Sequence, residues 1–329
     1  MTLGVPSSSA VTVIPLGTTR FHGTLISHEL ETILAALGKQ EKALLLYNRR
    51  GLGRAWICKD CGFFPKCPHC DVALAYHAYP TKQLVCHHCN YRGELMTTCP
   101  LCASVGFQEV GIGIQKIVSD LEKNFPEYSI FRFDSDTKQK KSSLIADLAT
   151  SNLIVSTHAG MSLLHLDSIS TVVFLLFESD LTLPDYRMEE DLYHMLEYAK
   201  KSSKTLYIQT FIPDHPLLLT LTEGNYRDFL EYISSERKKF FYPPFVDFVT
   251  IRIHDVSRDR LENMRNKLIN KIETLKEDHI TFFYEKEITE RTHGEWVVKL
   301  MLKGKGILAF LTQFDTELIK NRSITLEWN

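Results

Sequence analysis

All eight cysteines of this 329-residue chain lie between Cys58 and Cys102, and they form four Cys-x2-Cys pairs. The pairs are Cys58/Cys61, Cys67/Cys70, Cys86/Cys89 and Cys99/Cys102. Disulfide frameworks usually staple a whole small secreted domain, whereas a Cys-x2-Cys pair in a tight turn supplies two of the four ligands of a tetrahedral zinc ion. The clustering therefore predicts two structural Zn²⁺ sites in one short insert.

Other uses of these thiols fit the spacing less well. Redox-active Cys-x2-Cys pairs normally occur singly beside a thioredoxin-like unit. Iron–sulfur ligation is an alternative, but the pairwise x2 spacing fits zinc ribbons better. Eight thiols already fill two zinc sites, so we do not expect ligands among the four nearby histidines, His69, His77, His87 and His88. The spacing leaves open whether the pairs close the two sites in sequential or in nested order.

The sequence around the insert alternates between predicted strands and helices. Ser27 is a candidate N-cap for a helix that runs to about Leu37, because a serine hydroxyl can accept from a free amide of the first turn. Continuous apolar runs such as Ala43–Tyr47 and Thr171–Phe177 are typical of strands buried on both faces of a parallel sheet. We therefore predict an α/β fold with a parallel sheet.

The predicted strands and helices also indicate how the chain is divided into segments. Residues 1–24 form an extended lead-in, residues 25–51 and 106–215 the α/β domain, residues 52–105 the zinc-binding insert, and residues 216–245 a helical linker. For residues 246–329 the sequence predicts the order strand–helix–strand–strand–helix–strand. This order is typical of a ferredoxin-like α+β domain.

Composition limits the classes of partner. Lys and Arg number 38 and Asp and Glu 40, which gives a net charge of −2 and excludes a globally basic nucleic-acid binder but not a local basic patch. No apolar run reaches the ~18 residues of a membrane-spanning helix. Met1–Ala10 lacks the basic and apolar regions of a secretory signal, so we expect a cytoplasmic protein without a membrane partner.

Several motifs resemble the PriA family of primosomal replication-restart helicases (primosomal protein N′). They are the cysteine insert together with LLLYNRRG at residues 44–51, QTF-x-PDHP at 209–216, ERK at 236–238 and YPPF at 242–245. The resemblance covers residues 25–329 and implies a second RecA-like helicase lobe, its zinc insert and a C-terminal domain. It also implies nested zinc sites, one of Cys58, Cys61, Cys99 and Cys102 and the other of Cys67, Cys70, Cys86 and Cys89.

The chain departs from this family in the residues that handle ATP. No Gly-x4-Gly-Lys-[Ser/Thr] phosphate loop and no Asp-Glu dipeptide occur in it. The stretch that corresponds to the family's arginine-finger motif, residues 198–204, contains lysines but no arginine. A lysine cannot copy a bidentate guanidinium, and an arginine finger can supply ~10³–10⁵ in rate. Helicase-like by resemblance, the chain is predicted not to be an ATPase or helicase on its own.

Local basic residues remain as candidates for nucleic-acid contact. Three lie just before or at the start of the insert, and three in a loop that faces nucleic acid in many helicase lobes. They are Arg49, Arg50, Arg54, Lys138, Lys140 and Lys141. The alternative for each is a solvated surface charge.

The leading hypothesis is a truncated PriA-like zinc protein that acts as a nucleic-acid- or replisome-binding accessory in replication restart. Its expected partners are forked or single-stranded DNA and primosome proteins. One alternative is half of a split 3′–5′ DNA helicase, completed by a separate chain that carries the first lobe. Another is a zinc-module adaptor that binds proteins but no DNA.

Overall fold

A computed structural model describes most of the chain. The described residues are 10–16, 25–38, 40–48, 55–58, 60–69, 73–77, 81–86, 91–110, 114–133, 148, 150–161, 168–181, 185–284, 288, 290–292, 294–314 and 323–328. They belong to two compact units, the first made of residues 1–65, 73–84 and 94–230, and the second of residues 66–72, 85–93 and 231–329. Within the described ranges, no helix has the length and apolar character that crossing a membrane requires.

The elements are numbered here in chain order. Up to residue 133 they are β1 (Ala10–Pro15), α1 (His28–Ala35), β2 (Ala43–Leu46), β3 (Ala55–Cys58), β4 (Ala75–His77), β5 (Gln83–Val85), β6 (Arg92–Gly93), β7 (Phe107–Val110), α2 (Ile114–Asn124) and β8 (Ile130–Phe133). Up to residue 239 they continue as β9 (Leu153–Ser156), α3 (His158–Met161), β10 (Thr171–Phe174), α4 (Glu178–Leu181), α5 (Met188–Ser202), β11 (Thr205–Thr210), α6 (Pro216–Thr222) and α7 (Tyr226–Lys239).

A six-stranded sheet forms the core of the first unit. Its strand order is β1-β11-β10-β2-β9-β8, and every pairing is parallel. The central strands β10, β2 and β9 are buried along their whole length, because helices cover both faces of such sheets. The predicted parallel α/β sheet is confirmed. Its edge strand β1 lies within the segment that the sequence suggests to be an extended lead-in.

Gln209 ties three segments of this unit together. Its Nε2 donates to the carbonyl oxygens of Leu25 (2.7 Å) and Leu175 (3.0 Å), and its Oε1 accepts from the Ser27 amide (3.1 Å). Ser27 in turn caps α1, since its Oγ accepts from the Leu30 amide at 3.1 Å. The side chain is completely buried, so each of its polar atoms needs such a partner.

The insert builds its own antiparallel sheet around β3. That strand pairs with β4 at Ala55 and with β7 along its whole length, from Ala55 to Cys58. The Trp56 indole stacks on Tyr76 and Phe107, with ring centroids 5.2 and 5.9 Å away, and donates from Nε1 to the Met96 carbonyl. Trp56 thus packs inside the insert.

The C-terminal part of the second unit is an α+β layer. Its elements are β12 (Asp247–Asp255), α8 (Arg258–Leu275), β13 (Thr281–Tyr284), β14 (Glu290–Thr292), β15 (Glu295–Gly304), α9 (Ile307–Leu311) and β16 (Ile324–Trp328). The strand order is β13-β15-β12-β16, and β14 forms an additional hairpin with β15. Alternate residues of β12, such as Val249 and Ile251, join Leu261 and Leu268 of α8 in one apolar core.

Candidate metal centre

Four cysteine sulfurs converge between β3 and the loop that precedes β7. The Sγ atoms of Cys58, Cys61, Cys99 and Cys102 all lie within 4.8 Å of one another. Cys58 Sγ is 3.6 Å from Cys102 Sγ, and Cys61 Sγ is 3.4 Å from Cys99 Sγ. A disulfide bond requires about 2.05 Å, so the four cysteines are free thiols gathered around one point.

Two turns with the same backbone pattern carry these four sulfurs. The first cysteine of each turn accepts from the amide four residues later, in the bonds Gly62 N–Cys58 O (3.0 Å) and Ala103 N–Cys99 O (2.9 Å). Its own amide donates to the carbonyl five residues later, in the bonds Cys58 N–Phe63 O (2.8 Å) and Cys99 N–Ser104 O (2.7 Å). The two Cys-x2-Cys turns therefore present their sulfurs from matching geometries.

Both turns close through a left-handed residue directly after their second cysteine. Gly62 has φ +72° and Ala103 has φ +58°. Glycine adopts this conformation without strain, whereas alanine pays a modest cost. A Cβ at Gly62 would also lie 1.8 Å from Phe211 Cβ, so this turn sits directly against the segment after β11. Sequence reasoning missed both positions, although the glycine that follows Cys61 is a typical sign of such a turn.

Burial and backbone amides shift the pKa values of the thiols in opposite directions. Burial alone would raise the pKa of Cys99, but the amides of Cys102 and Leu101 donate to its sulfur and bring the pKa down to about 7. Burial, together with the neighbouring sulfurs, raises the pKa of Cys61 well above its usual range. Without a cation the four sulfurs cannot all ionise together, because their negative charges repel one another.

The donor set fits zinc. A tetrahedral ZnS₄ centre with Zn–S of about 2.3 Å places its sulfurs about 3.8 Å apart, close to the 3.4 and 3.6 Å of the two measured pairs. Cys58 and Cys99 are almost completely buried, and four protein thiolates leave no open coordination position for a substrate. This arrangement is typical of a structural rather than a catalytic metal.

The structure describes two of the four cysteines that the resemblance assigns to the second zinc site. Cys67 and Cys86 are both buried and belong to the second unit, whereas Cys70 and Cys89 lie outside the described residues. The Cys86 amide donates to the Tyr91 carbonyl at 2.8 Å, which repeats the five-residue bond of the two turns above. His69 lies edge-on to Tyr91, with ring centroids 5.3 Å apart.

The structure does not describe the basic residues that the sequence suggests as nucleic-acid contacts. Arg49, Arg50, Arg54, Lys138, Lys140 and Lys141 all lie outside the described residues. Their role therefore stays a prediction.

A polar cluster that sequence reasoning missed follows the carboxyl ends of the central strands. Asp180 is buried, accepts from Asn48 Nδ2 at 2.9 Å, and lies 3.3 Å from His158 Nε2. Glu178 is fully buried beside it in sequence, and its Oε1 accepts from Thr210 Oγ1 and from the Phe211 and Ile212 amides. Polar residues placed directly after apolar strand runs are the sequence signal for this edge.

Part of the cysteine insert is similar to a known protein domain. Residues 67–92 match the sequence model of the PriA DNA helicase Cys-rich region (CRR) domain. Proteins named replication restart protein PriA are similar to the chain over a larger part of its length. The one from Haemophilus influenzae is 28% identical over 288 residues, or 84% of this chain and 38% of that protein. The Synechocystis protein is 31% identical over 244 residues, 70% of this chain and 29% of that protein.

A third relative has a similar identity to this chain and covers a similar share of it. The Bacillus subtilis protein of the same name is 28% identical over 242 residues, 70% of this chain and 30% of that protein. The chain thus spans about a third of the length of the curated relatives it matches.

Proposed function

We propose that this chain, which is similar to the replication restart protein PriA over 70–84% of its length, is a zinc-binding accessory of replication restart. In this role it contacts forked or single-stranded DNA, or replisome proteins, in the bacterial cytoplasm. The observation that carries the proposal is the convergence of four thiols in an insert whose other half matches the PriA Cys-rich region.

The proposal includes two zinc ions with nested ligand sets. Cys58, Cys61, Cys99 and Cys102 would hold the first, and Cys67, Cys70, Cys86 and Cys89 the second. The sulfur distances support the first set, and the repeated turn bond at Cys86 supports the second. A bound zinc would supply structural cross-linking, because four thiolates complete its coordination.

We assign the first unit to a RecA-like second helicase lobe and the C-terminal layer to a ferredoxin-like fold. The parallel sheet with polar residues at its carboxyl edge supports the first assignment. In the C-terminal layer, the second, third, first and fourth main strands lie side by side in that order. This order supports the second assignment, since it joins two βαβ halves in one antiparallel sheet.

The proposal assigns no ATPase activity to this 329-residue chain. Phosphoryl transfer depends on positioned phosphate-loop and arginine groups, and the sequence contains no phosphate loop. The lysines at the arginine-finger position are also engaged elsewhere. Lys200 Nζ donates to the Leu221 carbonyl at 2.9 Å, and both Lys200 and Lys201 pair with Glu197.

A DNA-binding titration tests the function. The chain should bind forked and single-stranded DNA with an affinity that falls as salt rises, with a log–log slope of about −0.7 to −0.9 per phosphate contact. ATP should change neither the affinity nor the slope, and DNA should stimulate no ATP hydrolysis.

Three results would contradict parts of this proposal. DNA-stimulated hydrolysis by the purified chain would disprove the inactive assignment. Hydrolysis that appears only with a separate phosphate-loop chain would establish the split helicase. Binding to primosome proteins without any DNA binding would establish the adaptor.

A further inference from the structure

The turn that ends α7 places an aromatic side chain where helices normally have glycine. The Tyr242 amide donates to the Arg237 carbonyl at 2.8 Å, and the Phe241 amide donates to the Lys238 carbonyl at 3.4 Å. These two bonds define a Schellman cap, in which the residue between helix and outgoing chain is left-handed and usually glycine. Here that residue is Phe241, with φ +54°.

This conformation is costly for a phenylalanine. A left-handed backbone disfavours any residue with a Cβ by about 1–2 kcal/mol, and bulky residues are rare there. Burial of the ring would offset that cost, but Phe241 is 66% exposed. A strained and exposed aromatic residue contributes little to folding, so its presence is better explained by binding.

The neighbouring residues hold the ring outward. Tyr242, the next residue, is buried against Phe248 with ring centroids 5.9 Å apart, and Lys303 Nζ lies 3.6 Å from its ring centroid. With Tyr242 fixed inside and α7 fixed before it, the left-handed turn directs Phe241 to solvent. The backbone that carries the ring is therefore held in place, which reduces the entropy lost when a ligand stacks on the ring.

The charge around the ring is positive. Arg237, Lys238 and Lys239 form the last turn of α7, and Lys238 and Lys239 are exposed. Glu236 pairs with Lys239 at 3.8 Å, and the Lys239 ammonium lies 4.7 Å from the centroid of the Phe240 ring. Cations in the last turn also stabilise a helix, but that effect gives no reason for an exposed aromatic ring beside them.

We propose that Phe241, flanked by Lys238 and Lys239, is a stacking platform for an unpaired base of single-stranded nucleic acid. The ring would stack on the base, and the two ammonium groups would contact the adjoining phosphates. The inference rests on the proposed nucleic-acid binding, narrows it to an unpaired strand and names the contact point. A duplex should gain nothing from the ring, because its bases are already stacked.

Substitutions at Phe241 separate stacking from other roles. Phe241→Leu keeps an apolar side chain and the same backbone strain but removes the π face, whereas Phe241→Trp keeps a stacking surface. Fluorescence anisotropy with labelled oligothymidine, oligouridine and a blunt duplex measures each variant. Leu308→Ala, which removes another apolar side chain of the second unit that is 63% exposed, is the control.

We expect Phe241→Leu to weaken single-strand binding roughly 5- to 150-fold, the range for loss of one stacked base, and to leave duplex binding unchanged. Phe241→Trp and Leu308→Ala should bind like the parent chain. Substituting Lys238 and Lys239 together by Ala should reduce the salt slope by about 0.7 per lost phosphate contact.

Other results would separate failure of the stacking platform from failure of the proposed function. If the parent chain binds DNA and Phe241→Leu binds it equally well, the stacking platform is disproved while the proposed function stands. Phe241→Leu that loses duplex and single-strand binding alike would also overturn the platform. If the parent chain binds no nucleic acid, the DNA-binding part of the proposed function fails, and the platform fails with it. Phe241→Gly adds an independent check, since relief of the strain should raise the melting temperature while single-strand binding falls.

Discussion

Glu178 is fully buried just after β10, and only one of its two carboxylate oxygens is well bonded. Oε1 accepts from Thr210 Oγ1 at 2.6 Å, from the Phe211 amide at 2.6 Å and from the Ile212 amide at 3.1 Å. Among the described residues, Oε2 has no hydrogen-bond partner. Burial outweighs the three donors and raises the pKa of Glu178 from 4.5 to about 7. Glu178 therefore titrates near neutral pH.

This pKa predicts a loss of stability as pH rises. Between pH 4.5 and about 7 the folded chain retains a proton that the unfolded chain has released, so the free energy of unfolding falls through that window. The shift corresponds to on the order of 3 kcal/mol. Glu178→Gln, which keeps the shape and the acceptor oxygen, should remove this dependence. Urea unfolding at pH 5 and pH 8 measures it.

A surface carboxylate provides the control for this experiment. Glu127 is exposed, and Glu127→Gln should leave the difference in unfolding free energy between the two pH values as it is in the parent chain. Equal pH dependence in the parent and in Glu178→Gln would show that Glu178 ionises in the folded state at its ordinary pKa.

The Cys-x2-Cys turns are the elements whose geometry matters most for the metal centre. They share one hydrogen-bond pattern but differ in surroundings. Gly62 is buried against Phe211, whereas Ala103 is exposed. The same left-handed position therefore tolerates a Cβ in one turn and excludes it in the other.

Paired substitutions test this difference. Gly62→Ala should lower the free energy of unfolding by about 2–4 kcal/mol, because it adds both backbone strain and a clash with Phe211. Ala103→Gly should raise it by at most about 1 kcal/mol, since relief of strain is partly offset by the greater freedom of glycine in the unfolded chain. Thermal unfolding of the zinc-loaded chain gives both values, and a similar loss in both variants would refute the assigned geometry.

At the scale of the whole molecule, the two cysteine sets belong to different compact units. Cys58, Cys61, Cys99 and Cys102 lie in the first unit, and residues 66–72 and 85–93 in the second. Each proposed zinc would therefore stabilise its own unit, since structural zinc contributes its binding energy to the folding of the segment that supplies the ligands.

Ligand variants should separate the two sites. Elemental analysis should find two zinc ions per chain in the parent, and one in either Cys61→Ser or Cys67→Ser. Hydrogen exchange should then rise in β3 and β7 for Cys61→Ser, and in residues 85–93 for Cys67→Ser. His69→Ala, which changes a nearby residue outside both ligand sets, should keep two zinc ions. A parent chain with a single zinc would refute the two-site proposal.

The sequence by itself indicated the metal chemistry and most of the local elements of this protein, although it did not reveal the edge strand β1. Ligand type and Cys-x2-Cys spacing are local properties, and uninterrupted apolar runs such as Ala43–Leu46 mark buried strands wherever they pack. The family resemblance implied which thiols meet, and the tertiary structure brings the first of the two sets together. Only the tertiary structure decided that Gly62 faces Phe211, that Glu178 lies out of water and that Phe241 lies in it. These features depend on contacts between residues far apart in the chain, or on how much solvent a side chain reaches, and no local pattern encodes either.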